Sequence, residues 1–260
     1  LSILSTDRKA FYGTAMSFRA PIDHSKGRPE PIRALDRIKE VENGEPLVDI
    51  RLVAPEVHIL RPQVIPWCRE SVAKMLRQAA LSLPKAYKLG VIEAWRPVAR
   101  QKRIFDFIYK CAQEAFPGRS PASLKRTTCR FVAPVDHPAP PGHSTGAAVD
   151  VNLLNESLEP VDVSSPYTHF MASATYTLGL APESQKNRNI LVETMLGVGF
   201  SNCRDEWWHY SYGDAGWAVR TGQDACVYGL IELDPALYEE QEKLWLEAFK
   251  DRKNPFLEGR

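Results

Sequence analysis

Residues 142–154 read GHSTGAAVDVNLL, and this run decides how the rest of the chain is read. Its second half, from Ala147 to Leu154, has the look of a strand: Val149 and Val151 fall on one side and Asp150 on the other, because alternate side chains point to opposite faces. A carboxylate in so apolar a run needs a partner. His143 stands seven positions before Asp150, with one glycine and two alanines between them, residues small enough to let the backbone turn and neighbouring chain approach closely. Imidazole and carboxylate are both zinc ligands, and a catalytic zinc site uses three protein ligands while keeping one position for water. Immediately upstream, APVDHPAPPGH (133–143) reads as a loop leading into the strand, since each proline removes a backbone donor and restrains its predecessor.

Two further stretches supply what the first lacks. DEWWHYSY (205–212) holds His209 and, three residues earlier, Glu206. An odd offset within a strand sends two side chains to opposite faces, so Glu206 is expected in the turn before a strand running from Trp207 to Tyr212. Alternation also puts Trp207 and Trp208 on opposite sides, one toward the core and one walling the site against water, which strengthens electrostatic interactions inside it. EAWRPVARQ (93–101) closes a strand from Lys88 to Trp95 and places Arg96 before Pro97, where extended geometry is favoured. Its guanidinium would be a fixed cation beside the metal, or else an ion-pair partner for a carboxylate such as Glu93.

Around these segments the spacing of apolar residues predicts amphipathic helices over 66–83, 98–115, 183–196 and 235–249, with another strand over 226–233. Strands and helices without regular β-α alternation indicate an α+β fold with a mainly antiparallel sheet flanked by helices. Residues 1–55, rich in Pro, Gly and charge, read as an irregular arm with one short helix. The expected division is that arm, a catalytic domain over 56–233, and a C-terminal helical extension over 234–260 packed on it.

Thirty-three Lys and Arg against 32 Asp and Glu leave a formal net charge of +1, so no global field recruits nucleic acid or an anionic membrane surface. That balance points to a small or neutral substrate. No run approaches the roughly 20 apolar residues of a membrane span. Five cysteines, scattered and without a C-x-x-C pair, argue against a disulfide framework and a cysteine zinc knuckle, and point to a reducing, cytoplasmic compartment. The other expectation is a periplasmic or envelope location after removal of a leader.

The pattern H-x-x-G-x-A-x-D in HSTGAAVD, followed by E-x-W-H in EWWH and preceded by W-R-P in EAWRP, resembles the zinc D-Ala-D-Ala peptidase superfamily. It is most similar to the D-alanyl-D-alanine dipeptidases of vancomycin-resistance type, over about residues 70–220. The resemblance implies Zn2+ on His143, Asp150 and His209, Glu206 as the base that deprotonates the attacking water, and Arg96 as the cation for the developing oxyanion. It also implies the α+β fold shared by these peptidases and the signalling domain of Hedgehog proteins. Trp208, His169 and Ser144 are assigned to the substrate side. Two positions depart from the pattern: Pro141 stands where a serine is common two residues before the first histidine, and His169 aligns where the dipeptidases carry an acid for the substrate's free amine. Three functions follow as expectations. They are hydrolysis of D-Ala-D-Ala or a related short peptide, carboxypeptidase trimming of peptidoglycan stem peptides, and a non-catalytic zinc-binding module. A structural metal needs neither a base nor an oxyanion cation, so Glu206 and Arg96 speak for the enzymes.

Overall fold

The computed structural model describes residues 22–167 and 173–257. In chain order the elements are α1 (Ile32–Leu35), β1 (Lys39–Glu40), β2 (Leu47–Asp49), α2 (Ile50–Val53), β3 (Val57–Ile59), β4 (Trp67–Arg69), α3 (Glu70–Ser82), β5 (Lys88–Glu93), α4 (Val98–Ala115) and α5 (Pro121–Thr128). Then come β6 (Ala148–Leu154), α6 (Pro182–Gly197), β7 (Ser201–Asn202), β8 (His209–Ser211), α7 (Ala215–Thr221), β9 (Ala225–Cys226) and α8 (Glu239–Lys250). Single 3-10 turns occur at Gly142–Thr145 and Pro235–Leu237.

Among the described residues the largest sheet has five strands in the order β3-β5-β6-β8-β7. The expectation of a mainly antiparallel sheet is corrected: the sheets are mixed. β3 runs parallel to β5, and β1 runs parallel to β9, while the other pairs are antiparallel. Parallel neighbours need a crossover, and β4 with α3 supplies the one between β3 and β5. β3 is only VHI, too short for its alternation to stand out. The strand expected over 226–233 is likewise corrected to Ala225–Cys226.

One face of the sheet is the core. Leu89 and Val91 of β5, Val149, Val151 and Leu153 of β6 and Tyr210 of β8 pack with Val72, Leu76 and Ala79 of α3 and Leu191 and Met195 of α6. Slipping β6 by one residue would turn its three apolar side chains out, at roughly 1.5–3 kcal/mol each. That burial fixes the opposite face, where Asp150 lies. The register sets Asp150 opposite His209 on β8 and opposite Glu93 on β5, so three polar side chains line up across three strands.

Glu93 reaches that row through an irregularity. Val91 pairs with Val151 but Glu93 pairs with Asp150, so two steps along β5 match one along β6. This is a β-bulge, which re-aims the residues beyond it. Without it Glu93 would share Val91's core face.

A second apolar cluster joins Ile104, Ile108, Cys111 and Ala112 of α4 and Leu124 of α5 to Trp245 of α8 and Phe256. The C-terminal segment also reaches the EAWRP stretch directly: Trp95 donates from Nε1 to the Ile231 carbonyl at 3.2 Å and meets the Tyr238 ring edge-on at 5.2 Å. At the other end, the fully buried Arg69 donates to both Glu42 carboxylate oxygens at 2.9 Å and, from Nε, to the Thr145 carbonyl at 2.8 Å. Its guanidinium lies over the Tyr228 ring at 4.9 Å. Among its described residues, 22–55, the segment read as irregular with one short helix has two helical turns and two short strands, and its Glu42, through Arg69, braces the turn that carries His143. No helix among the described residues is long and apolar enough to cross a membrane.

Candidate active site

His143 sits in the 3-10 turn that follows the proline-rich loop, and the turn ends at Gly146 with φ of 72°, a conformation that a side chain disfavours. A Cβ there would also fall 2.3 Å from Leu47 Cδ2. The imidazole is buried, and its Nδ1 lies 2.9 Å from the Ala94 carbonyl oxygen. A carbonyl only accepts, so Nδ1 carries a proton and Nε2 is the nitrogen that faces the site. That Nε2 faces Asp150 Oδ1 at 3.3 Å. His209, at the start of β8, brings its Nδ1 to 2.9 Å from the same oxygen.

The three ligand atoms all lie within 4.8 Å of one another. Tetrahedral zinc with bonds of about 2.0–2.1 Å separates its ligand atoms by about 3.3 Å, so spacings of 2.9 and 3.3 Å suit that ion. His143 Nε2 and Asp150 Oδ1 face each other at 3.3 Å, and either a proton or a metal cation between them satisfies both. Burial alone would raise the Asp150 pKa, but His143 and His209 overcome it and hold the carboxyl well below the usual carboxylate range. The group is therefore a ready anion among nitrogen donors.

Glu206 lies in the turn between β7 and β8, as its spacing from His209 requires. The turn is closed by the His209 N–H donating to the Glu206 carbonyl at 3.2 Å, and Asn202 Nδ2 holds both the Glu206 and His209 carbonyls at 3.3 and 3.0 Å. Glu206 Oε2 is 4.0 Å from His209 Nδ1, beside the cluster but not part of it. Burial, helped by the charges of Asp150 and Glu30 and opposed by Arg96, pushes the Glu206 pKa up to about 8. A carboxyl so placed is a base strong enough to take a proton near neutral pH.

Arg96 is clamped on several sides. Its N–H donates to the His143 carbonyl at 3.2 Å, and its own carbonyl accepts from Ser144 Oγ at 2.9 Å. The guanidinium reaches Gln101 Oε1 at 2.7 Å and Glu93 Oε2 at 3.2 Å, while its buried Nε has no partner among the described residues. The Glu93 ion pair expected as the alternative for Arg96 therefore exists, and it coexists with an influence of the Arg96 charge on Glu206.

Of the substrate-side residues, Trp208 is half-buried, its ring edge-on to Trp207 at 5.3 Å and its carbonyl accepting from Val151 N at 2.9 Å. Ser144 is buried with its hydroxyl proton committed to the Arg96 carbonyl, which makes it a brace for Arg96. His169 lies outside the described residues. Sequence reasoning missed Ala94 as the group that fixes the His143 tautomer and Gln101 as a support for Arg96. Strand register alone would have signalled the first, and the second sits one helical turn beyond Pro97.

A family model described as D-ala-D-ala dipeptidase (Peptidase_M15) matches residues 65–226. A curated D-alanyl-D-alanine dipeptidase of Synechocystis sp. is 28% identical over 245 residues, spanning 78% of this chain and 98% of that protein. A curated D-alanyl-D-alanine dipeptidase of Escherichia coli is 32% identical over 74 residues, 28% of this chain and 38% of that protein. Among solved structures, a vancomycin-resistance D,D-pentapeptidase VanY in complex with Zn(II) aligns over 78% of this chain and 90% of its own, with 18% identity and a TM-score of 0.36.

Proposed function

The chain belongs to the D-Ala-D-Ala dipeptidase family of metallopeptidases, and from that premise we propose that it hydrolyses D-Ala-D-Ala or a closely related short peptide, with zinc held by His143, Asp150 and His209. The observation that carries this reading is the convergence of His143 Nε2 and His209 Nδ1 on Asp150 Oδ1, at 3.3 and 2.9 Å, with the Glu206 carboxylate beside them at 4.0 Å from His209 Nδ1. Zinc bound there supplies Lewis acidity, polarising the scissile carbonyl and making water a nucleophile near pH 7.

The chain's own residues do the rest. Glu206 takes the proton from the attacking water and returns it to the leaving amine, a role typically worth roughly 10²–10⁴ in rate. Arg96, immobilised by Glu93, Gln101 and the Ser144 bond to its carbonyl, faces the oxygen that gains negative charge, and losing one such group typically costs about 10²–10³ in turnover. Trp208, its ring edge-on to the core-packed Trp207 at 5.3 Å, would wall one side of the site against water. The five free cysteines fit a reducing compartment, which we propose as its location.

Zinc-loaded protein incubated with D-Ala-D-Ala should release D-alanine, and chelator should abolish the release. Survival of D-Ala-D-Ala and of a panel of dipeptides and stem peptides at high enzyme concentration would rule the reading out. A carboxypeptidase is the second reading, favoured by His169 standing where the dipeptidases carry an acid for the substrate amine. N-acetylated substrates separate the two: a dipeptidase rejects the blocked amine and a carboxypeptidase accepts it.

A further inference from the structure

The C-terminal helix α8 lies beyond the residues matched by the family model, 65–226, yet it ends on the support of Arg96. Glu93, re-aimed by the bulge in β5, stands between two guanidiniums. Its Oε2 binds Arg96 at 3.2 Å, whereas its Oε1 makes no hydrogen bond among the described residues and lies 3.8 Å from Arg100 Nη1. Arg100 is fully buried, and a buried guanidinium this close to an unsatisfied carboxylate oxygen would normally close the gap.

Groups from the opposite side hold it back. Glu242 Oε2 on α8 accepts from Arg100 Nε at 2.9 Å and lies 2.8 Å from Nη2, the Gln63 carbonyl accepts from Nη1 at 3.2 Å, and the Gln241 carbonyl accepts from Nη2 at 3.4 Å. The Trp245 ring, stacked on Phe249 at 4.5 Å and anchored in the second apolar cluster, lies 5.0 Å from the Arg100 guanidinium carbon. Contacts therefore run from Arg96 to Glu93, Arg100 and Glu242 in turn, with Arg252 a further cation near Arg96 and Glu93.

We propose that Glu242 and Trp245 are positioning residues for Arg96: by holding Arg100 they keep Glu93 available to fix the oxyanion cation. The inference rests on the reading of Arg96 given above. If the Glu242 charge is lost, Arg100 has a single carboxylate left, draws Glu93 to itself, and Arg96 loses its anchor. Small misplacements of such a group cost heavily, up to about 100-fold for an ångström.

Steady-state kinetics on zinc-loaded full-length protein with D-Ala-D-Ala provide the test. Glu242→Gln should lower kcat roughly tenfold with KM within about twofold, and should weaken a phosphinate dipeptide analogue of the transition state, measured by calorimetry, by a similar factor. The double variant Arg100→Met/Glu242→Met removes the competing cation with its partner, so kcat should return to within about threefold of the parent. A helix that merely docked would be damaged at least as much by the double change. In an Arg96→Ala background Glu242→Gln should cost nothing further. Trp245→Phe, which keeps the cluster filled, should show the same pattern at about two- to threefold if Glu242→Gln does not fold. Unchanged kcat in Glu242→Gln, or a loss that persists in the Arg96→Ala background, overturns the positioning role. Unchanged kcat in Arg96→Ala overturns the role of Arg96 itself and the positioning role with it.

Discussion

Stripping the protein of metal should expose Glu206 as a liability to folding that grows with pH. In the folded chain its pKa is pushed from the ordinary 4.5 to about 8, first by burial and then by the charges of Asp150 and Glu30. Between those two values the folded state holds a proton that the unfolded state has released, so stability falls as pH rises through the window. At about 1.36 kcal/mol per pH unit the full displacement corresponds to at most about 5 kcal/mol. With 27% of the side chain exposed, solvent screening reduces that to roughly 2–4 kcal/mol. Urea denaturation of chelator-treated protein at intervals from pH 4.5 to 9 reads it out, with Glu206→Gln as the reference in which this group cannot ionise. The parent should lose stability relative to the variant as pH rises toward 8, and added zinc should flatten the difference by offsetting the Asp150 charge. Parallel curves for the two proteins would refute the reasoning, because they would mean that Glu206 titrates alike in the folded and unfolded chains.

His143→Ala or His209→Ala should lower the zinc content measured by atomic absorption after dialysis, whereas Glu206→Gln should keep the metal and lose turnover by roughly 10²–10⁴. Near-normal activity in Glu206→Gln would require another base. Gly146→Ala should destabilise by roughly 2–4 kcal/mol, since it meets both a left-handed backbone and the Leu47 side chain, and should weaken zinc binding by moving the His143 turn. Although burial alone would raise it, the Gly229 N–H and Arg69 hold the Glu42 carboxyl below its ordinary 4.5. Its contribution is therefore present above pH 4.5 and lost as pH falls through the lower folded value. Glu42→Gln should accordingly flatten the acid limb of the stability curve, and an unchanged limb would count against that linkage.

The sequence disclosed those elements whose physics is local and sustained. α4 runs over Val98–Ala115 because an apolar stripe, Pro97 before it and Phe116-Pro117-Gly118 after it all act within the helix itself. β6 is legible for the same reason: Val149 and Val151 against Asp150 specify a two-faced strand. The turn position of Glu206 followed from parity alone. Two helices carried readable signals that went unused: Ser120 caps α5 with Pro121 in its first turn, and α7 runs from the Asp214 cap to Gly222 with φ of 76°. By contrast β2, β3 and β4 are three residues long and exist because of partners distant in sequence, which no window of periodicity contains. The bulge that turns Glu93 to the polar face is of the same kind. It depends on the register between β5 and β6, and with it goes the shared grip of Glu93 on Arg96 and its standoff from Arg100.

Anomalous diffraction at the zinc absorption edge, on crystals of protein loaded with one equivalent of zinc, addresses the metal assignment most directly. The account predicts a single strong peak within bonding distance, about 2.0–2.2 Å, of His143 Nε2, an Asp150 carboxylate oxygen and His209 Nδ1, with Glu206 outside the coordination shell. A peak at any other cluster, or one that includes Glu206 in place of any of those three, would contradict it.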